Sequence, residues 1–287
     1  MPDISLIVST TGREKELARL LNSLLSEETS RFEIILVDQS KDEQIREKLA
    51  HLVTEFSDQL RITHVVDEGR GLSRARNIGL KIARGKITGF PDDDCWYSGR
   101  VVAAVWTYFK AHPQTTILAG PYSEPGVINP AFPSRPLALT LHNFIGKTSS
   151  VGLFINTESP LKPVIYFDER IGAGTAMPIG EETDLVMRLL CQGALARFEP
   201  DIVVYHQIQR DKALSPDTYA AMTRAFWYVI AKNYKPLWTE ARVLRGVAGC
   251  LFRPQRFGCV GALRALFDGC SDGLKERRHT SSERKIG

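Results

Sequence analysis

"SLIVSTTGREKELARLLNSLL", residues 5–25, holds the pattern that decides the fold. Ile4 to Val8 is a short apolar run of β-forming residues, and from Glu14 to Ser26 the leucines at 17, 20, 21, 24 and 25 recur at i, i+3, i+4, i+7 and i+8. The first spacing is that of a buried strand and the second that of an amphipathic helix. The pair then repeats. Ile34 to Val37 is a strand ending at Asp38, and Ile45, Leu49, Leu52, Val53 and Phe56 restore the helical period. Ile62 to Val66 is a third strand, followed by a Gly-rich loop and a helix carrying Leu72, Ala75, Ile78 and Ile82; Lys86 to Phe90 is a fourth. Strands too apolar to alternate, separated by amphipathic helices, predict an α/β fold with a mostly parallel sheet covered by helices on both faces.

In such a sheet ligands gather beyond the carboxyl ends of the strands. That rule selects Ser9, Thr10 and Thr11 after the first strand, Asp38 after the second, Asp67 and Glu68 after the third, and Asp92, Asp93 and Asp94 after the fourth. Three adjacent carboxylates repel one another unless a cation neutralises them. Hard divalent cations such as Mg²⁺ or Mn²⁺ take oxygen ligands and share them with phosphates. The alternative use of the triplet is to favour the N-terminus of a following helix, with Cys95-Trp96-Tyr97 as that helix's packed start. The loop "DEGRGLSRARNIG", 67–79, has Arg74 where a dinucleotide fingerprint has its third glycine. Its Arg70, Arg74 and Arg76 can offset phosphate charge directly or through pairing with Asp92.

Farther along, Pro121, Pro125, Pro130, Pro133 and Pro136 punctuate a long loop. Val151 to Ile155 and Val164 to Phe167 are strand candidates. Glycines at 172, 174 and 180 approach a helix opened by Glu181, Glu182 and Asp184, whose acidic first turn suits its dipole. Asp184 and Arg188 sit one turn apart and can pair; one of the glutamates is a candidate general base. Ile202 to Tyr205 is a strand ending at His206, and Ser215-Pro216-Asp217 reads as a cap with proline at the first helical position, opening a helix to about Tyr234. In the last fifty residues, Arg242, Arg245, Arg253, Arg256 and Arg264 interleave with Val243, Leu244, Val247, Leu251, Phe252, Val260, Leu263, Leu266 and Phe267. This composition suits a helix lying on an anionic membrane surface, or one that packs on the domain and solvates its arginines.

The remaining composition narrows the classes. In 287 residues the net charge is +4, which gives no general argument for nucleic acid, and the five cysteines form no C-x-x-C pair. The N-terminal apolar run is too short for a signal-peptide core and lacks its basic flank. A reducing cytoplasm is expected, with the protein soluble or peripheral at the inner face of the membrane.

Taken in order, "SLIVSTTGREKELARLLNSLL", "EIILVDQS", "GLSRARNIGL", "GKITGFPDDDC" and "FDERIGAGTAMPIGEETDLVMRLL" resemble the family 2 glycosyltransferases, nucleotide-sugar enzymes of the GT-A fold, over roughly residues 3–206. The resemblance implies inverting transfer of a sugar from a nucleoside diphosphate, a UDP-sugar favoured, assisted by Mg²⁺ or Mn²⁺. It places Thr10, Thr11 and Arg13 at the nucleotide pocket, Asp38 on the base or ribose, Asp67, Arg74 and Arg76 on the nucleotide wall, Asp92 and Asp93 on the donor, and Asp94 on the metal, with His206 as a further ligand. Glu182 is the implied base, with Glu181 and Asp184 as alternatives, because this chain has Glu-Glu where the family usually has Glu-Asp. Processive members carry Gln-x-x-Arg-Trp; here Gln207-Ile208-Gln209-Arg210-Asp211 lacks the Trp, so single-sugar transfer is expected. Residues 1–212 would be the GT-A domain, with 1–120 binding the nucleotide-sugar and 121–212 the acceptor, and 213–287 a helical, basic extension. A saccharide or polyprenyl-linked acceptor in surface polysaccharide assembly fits that extension. A nucleotidyltransferase and a non-enzymatic membrane scaffold are the rival readings.

Overall fold

The computed structural model describes residues 2–208, 215–233, 238–252 and 259–283. The described chain divides into two compact units: Met1–Phe167 with Leu189–Gln209, and Asp168–Arg188 with Arg210–Gly287. The segment 168–188, read from sequence with the acceptor-binding part, thus groups with the C-terminal helices.

The first unit is built on an eight-stranded sheet. Its opening half alternates β1 (Ile4–Thr10), α1 (Glu14–Leu25), β2 (Phe32–Asp38), α2 (Glu43–Phe56), β3 (Ile62–Val66), α3 (Leu72–Ile82), β4 (Ile87–Gly89) and α4 (Val101–Ala111). β5 (Ile117–Ala119), β6 (Tyr122–Ser123), β7 (Leu137–Leu139), β8 (Leu153–Asn156), β9 (Ala196–Phe198) and β10 (Val204–Tyr205) follow. The sheet order is β3-β2-β1-β4-β8-β5-β9-β7. β1, β2, β3 and β4 run parallel, as the strand–helix alternation predicts, whereas β8 lies antiparallel between β4 and β5. β2 and β4 flank β1 on opposite sides, so the chain reverses direction across the sheet at β1; a crevice opens at such a point beyond the carboxyl ends.

Burial explains the periods seen in the sequence. Leu17, Leu20, Leu21 and Leu24 of α1 are buried in one cluster with Leu6, Val8 and Leu36 of the sheet. Truncating one such leucine to alanine typically costs about 2–5 kcal/mol.

Two expectations are corrected. Val164–Phe167 is not a strand: Pro163, which has no N–H to donate, lies in a single 3₁₀ turn at Lys162–Val164. The Phe167 backbone instead exchanges both its bonds with one side chain, its N–H donating to Asn77 Oδ1 (2.7 Å) and its carbonyl accepting from Asn77 Nδ2 (2.9 Å). Nor do Cys95-Trp96-Tyr97 open the next helix. Trp96 exchanges N–H and C=O with Tyr205 at 2.9 and 2.8 Å, in a strand-like bridge. α4 starts at Val101, where the Glu27 carboxylate accepts the N–H groups of Val101 and Val102.

The second unit contains the start of α5 (Glu181–Cys191), then α6 (Pro216–Lys232), α7 (Trp238–Phe252) and α8 (Cys259–Glu283). Ser215 caps α6 by accepting from Thr218 N–H, with Pro216 in the first turn. α8 buries Ala262, Ala265, Leu266, Gly269 and Gly273, a stripe at helical spacing that packs on α6. A Cβ at Gly269 would stand 2.3 Å from the Arg224 carbonyl oxygen and one at Gly273 2.4 Å from that of Tyr228. Only glycine permits so close an approach. Leu266 therefore points inward, while Leu244 and Phe267 are exposed. Tyr234, Arg253 and Arg256, and the side chains of Val247, Leu251, Phe252 and Val260, lie outside the described residues, as do Gln209, Arg210 and Asp211 of the Gln-x-x-Arg segment. No described helix is long and apolar enough to cross a membrane.

Candidate active site

The carboxyl ends of β1 and β4 are tied together. Ser9 bridges Asp92 in parallel register, and the Thr10 hydroxyl donates to Asp93 Oδ2 at 2.6 Å. Just after β1, the Arg13 guanidinium ion-pairs with both Asp93 and Asp94, and Thr11 stands exposed beside it. On the other side Arg76, almost fully buried, reaches Asp92 at 3.0 Å and lies over the Phe167 ring. Arg19 donates to the Asp94 carbonyl oxygen at 2.6 Å and stacks 3.9 Å over Trp96.

The Trp96–Tyr205 bridge sets β10 against this segment, and the next residue, His206, meets Asp94 Oδ1 through Nε2 at 3.2 Å. The His206 ring is held edge-on to Tyr122. Asp92, Asp94 and His206 offer ligand atoms that all lie within 4.8 Å of one another. Two carboxylates and an imidazole are a donor set that Mn²⁺ accepts readily and that Mg²⁺, which favours oxygen, accepts less well.

The three aspartates differ electrostatically. Burial pushes the Asp93 carboxyl up to about 6, outweighing its bonds from Thr10 and Arg13. The His206 hydrogen bond, joined by Arg13, holds Asp94 down at about 2, and Asp94 in turn raises His206. Asp94 is thus the more strongly anionic of this pair and the more exposed, as a cation ligand requires.

The remaining donor-side candidates form a separate layer along β2 and β3. Asp38, fully buried, accepts the Ser40 N–H at 2.8 Å on one oxygen and meets His64 Nε2 at 3.3 Å on the other. Asp67 accepts from Gln39 at 2.8 Å, from the Gly69 N–H, and from Arg74 in a forked contact. Those bonds, Arg74's first, hold the Asp67 carboxyl at about 2. Arg74 is therefore turned to Asp67, Arg76 pairs with Asp92 of the triplet, and Arg70 is exposed. Gln39 escaped the sequence reading: its amide oxygen accepts the Gly71 N–H while its nitrogen serves Asp67, which fixes the loop that opens α3.

The glutamate segment belongs to the second unit. At the start of α5, Glu181 is buried and Glu182 half-buried, with the Thr183 hydroxyl 3.5 Å from Glu182 Oε1. Asp184 is wholly buried and surrounded by donors: Arg188 Nε at 2.8 Å, Lys232 Nζ at 2.9 Å and Asn233 Nδ2 at 2.8 Å. Its charge persists despite the cost of burial because these partners outweigh it. Lys232 and Asn233, at the end of α6, belong to no motif and carry no signal in the sequence.

Residues 5–161, more than half the chain, match the family described as Glycosyl transferase family 2. Among curated relatives is WcaA of Escherichia coli K12, a glycosyl transferase provisionally named for colanic acid biosynthesis. It is 31% identical over 144 residues, 49% of this chain and 49% of the relative, so the match spans about half of that protein's length. Among solved structures, S. aureus TarS 1–349 in complex with UDP-GlcNAc matches with a TM-score of 0.63 at 18% identity, over 98% of this chain and 92% of that one. The mannosyltransferase PcManGT of Pyrobaculum calidifontis, in complex with GDP-Man and Mn²⁺, matches with a TM-score of 0.65 at 16% identity, over 99% of this chain and 80% of that one. At these identities the structural likeness speaks for the fold, which is the GT-A arrangement of a mostly parallel central sheet between helices. The family match, carried by the same β1–β4 frame that gathers the aspartates, makes this chain a member of the family 2 glycosyltransferases.

Proposed function

We propose that the protein moves a single sugar from a nucleoside-diphosphate-sugar, UDP-linked by preference, to an acceptor hydroxyl with inversion at the anomeric carbon. One observation carries the reading: Asp92, Asp94 and His206 converge beyond β1 and β4, where the sheet changes direction. These three residues would hold Mn²⁺ or Mg²⁺, which when bound supplies positive charge to a departing diphosphate. Thr10, Thr11, Arg13, Asp38, Asp67 and the Arg74 and Arg76 loop form the donor-binding set within residues 1–120. Arg13 adds charge that can turn to phosphate, and Asp38, held by Ser40 and His64, accepts from the base or ribose.

Glu182 takes the proton of the acceptor hydroxyl as that oxygen attacks the anomeric carbon and the bond to the diphosphate breaks. Asp184 is set aside as base because its oxygens already accept from Arg188, Lys232 and Asn233. Glu181, buried, remains the alternative to Glu182. Residues 121–212 are assigned to the acceptor and 213–287 to a helical extension whose exposed Leu244, Arg245, Arg264 and Phe267 suit contact with the inner face of a membrane. A lipid-linked saccharide in surface polysaccharide assembly is the acceptor class consistent with that surface.

The test is a thermal-shift screen of UDP- and GDP-sugars with Mn²⁺, followed by product analysis with the donor that stabilises most. Release of a nucleoside diphosphate and a product of inverted configuration are expected. Pyrophosphate release would favour a nucleotidyltransferase, retained configuration would overturn inversion, and no turnover with any donor and lipid-linked saccharide would favour a scaffold.

A further inference from the structure

Asp168 and Asp184 stand at the two ends of the segment that carries Glu181 and Glu182. Both carboxylates are at most 5% exposed, and both pair with one ammonium group, Lys232 Nζ, at 2.7 and 2.9 Å. Lys232 is itself 8% exposed and lies in the last turn of α6, where the helix dipole favours a cation. Its neighbours on the same helix end complete the hold. The Tyr228 hydroxyl, one turn back, donates to Asp168 at 3.2 Å, and Asn233 donates to Asp184 at 2.8 Å.

Between these two anchors the chain is folded on itself and seated on α6. The Gly172 N–H donates to the Met177 carbonyl, the Thr175 hydroxyl spans the same turn, and Ile171 and Met177 pack on Tyr228 and Val229. Arg170 and Arg188 supply the remaining countercharge, to Asp168 and Asp184 respectively. A buried cation joined to two buried anions gives little net stability over an apolar replacement, yet losing one member is costly. Such an arrangement is better suited to fixing geometry than to adding stability.

We propose that Lys232 is the positioning residue of the acceptor-base segment: by binding Asp168 and Asp184 together it sets the start of α5, and with it Glu182. The C-terminal helix α6, which lies beyond the residues matched by the family, is then part of the catalytic apparatus. The inference rests on Glu182 as base.

The experiment compares full-length wild type with Lys232→Met, Lys232→Arg, Asn233→Ala and Glu182→Gln. Amide hydrogen exchange is read without ligand, and kcat and both KM values are read with the donor and acceptor found by the product assay. In Lys232→Met, exchange across residues 169–183 rises about tenfold or more while β1–β4 keep their protection. With that substitution kcat falls about a hundredfold at unchanged donor KM, as a displacement on the order of 1 Å allows. Lys232→Arg recovers most of the rate, and Asn233→Ala shows a smaller loss in the same direction. Unchanged exchange in 169–183, or raised exchange with unchanged kcat, overturns the proposal. If Lys232→Met does not fold, Asn233→Ala decides by the same two readings. Full activity in Glu182→Gln would instead sink the base assignment, independently of what Lys232 does to exchange.

Discussion

Asp94 and Asp93 are neighbours with opposite electrostatic fates although Arg13 pairs with both. Asp94 gains His206 as a further partner, whereas burial dominates at the enclosed Asp93. Under the proposed chemistry Asp94→Asn should lower kcat by about 10²–10³-fold, the usual loss when a group that stabilises developing charge is removed. Steady-state kinetics with Mn²⁺ checks it, and a loss under tenfold would move the ion elsewhere. Asp67 gives a pH prediction away from the ion. Its folded pKa of about 2 lies below the unfolded value of about 3.9, so it stabilises the fold above pH 4 and that contribution drains away as the pH falls towards 2. Arg74→Ala should flatten this acid limb in urea titrations run from pH 5 to pH 2. An unchanged slope would mean that Arg74 is not what depresses Asp67.

At the scale of elements, the sequence shows periods well and partners poorly. α1 was legible because its leucines fall on one face, and α6 because Ser215-Pro216 is a cap with a physical rationale. α4 is apolar almost all round, so no amphipathic stripe marks it. The false strand at Val164–Phe167 has the right residue types, but backbone pairing needs a neighbour, and Asn77 fills that place from 90 residues away. Asn77→Ala removes both bonds at once and should cost about 2–4 kcal/mol in chemical denaturation, leaving two buried backbone groups unpaired. The α6–α8 contact is equally specific. Gly269→Leu drives side-chain atoms into the Arg224 carbonyl and should destabilise the second unit by about 1–3 kcal/mol or more, whereas Phe267→Ser on the exposed face should be near neutral. Equal effects from the two would refute the packing.

For the whole molecule, the strand-end rule placed the aspartate cluster just beyond β4, where it meets the end of β1, because it depends only on strand order. The grouping of 168–188 with the C-terminal helices was not legible, since the contacts within that unit, among them Lys232 and Asn233 on Asp184 and Tyr228 on Asp168, come from single residues without a motif. A chain ending at residue 212 keeps the whole sheet but loses every α6 partner of Asp168 and Asp184. It should retain stabilisation by UDP with Mn²⁺ in thermal shift and lose sugar transfer. Transfer at the full-length rate would show that the helices are dispensable.

Arg13 has a consequence for folding. Because its guanidinium already balances Asp93 and Asp94, the rim presents no bare anionic hole, and the fold around it needs no cation to offset the repulsion of the two carboxylates. Under the proposed function an arriving ion would exchange with a resident charge, so protein stripped of divalent cations should keep its thermal stability and regain transfer when the ion is returned.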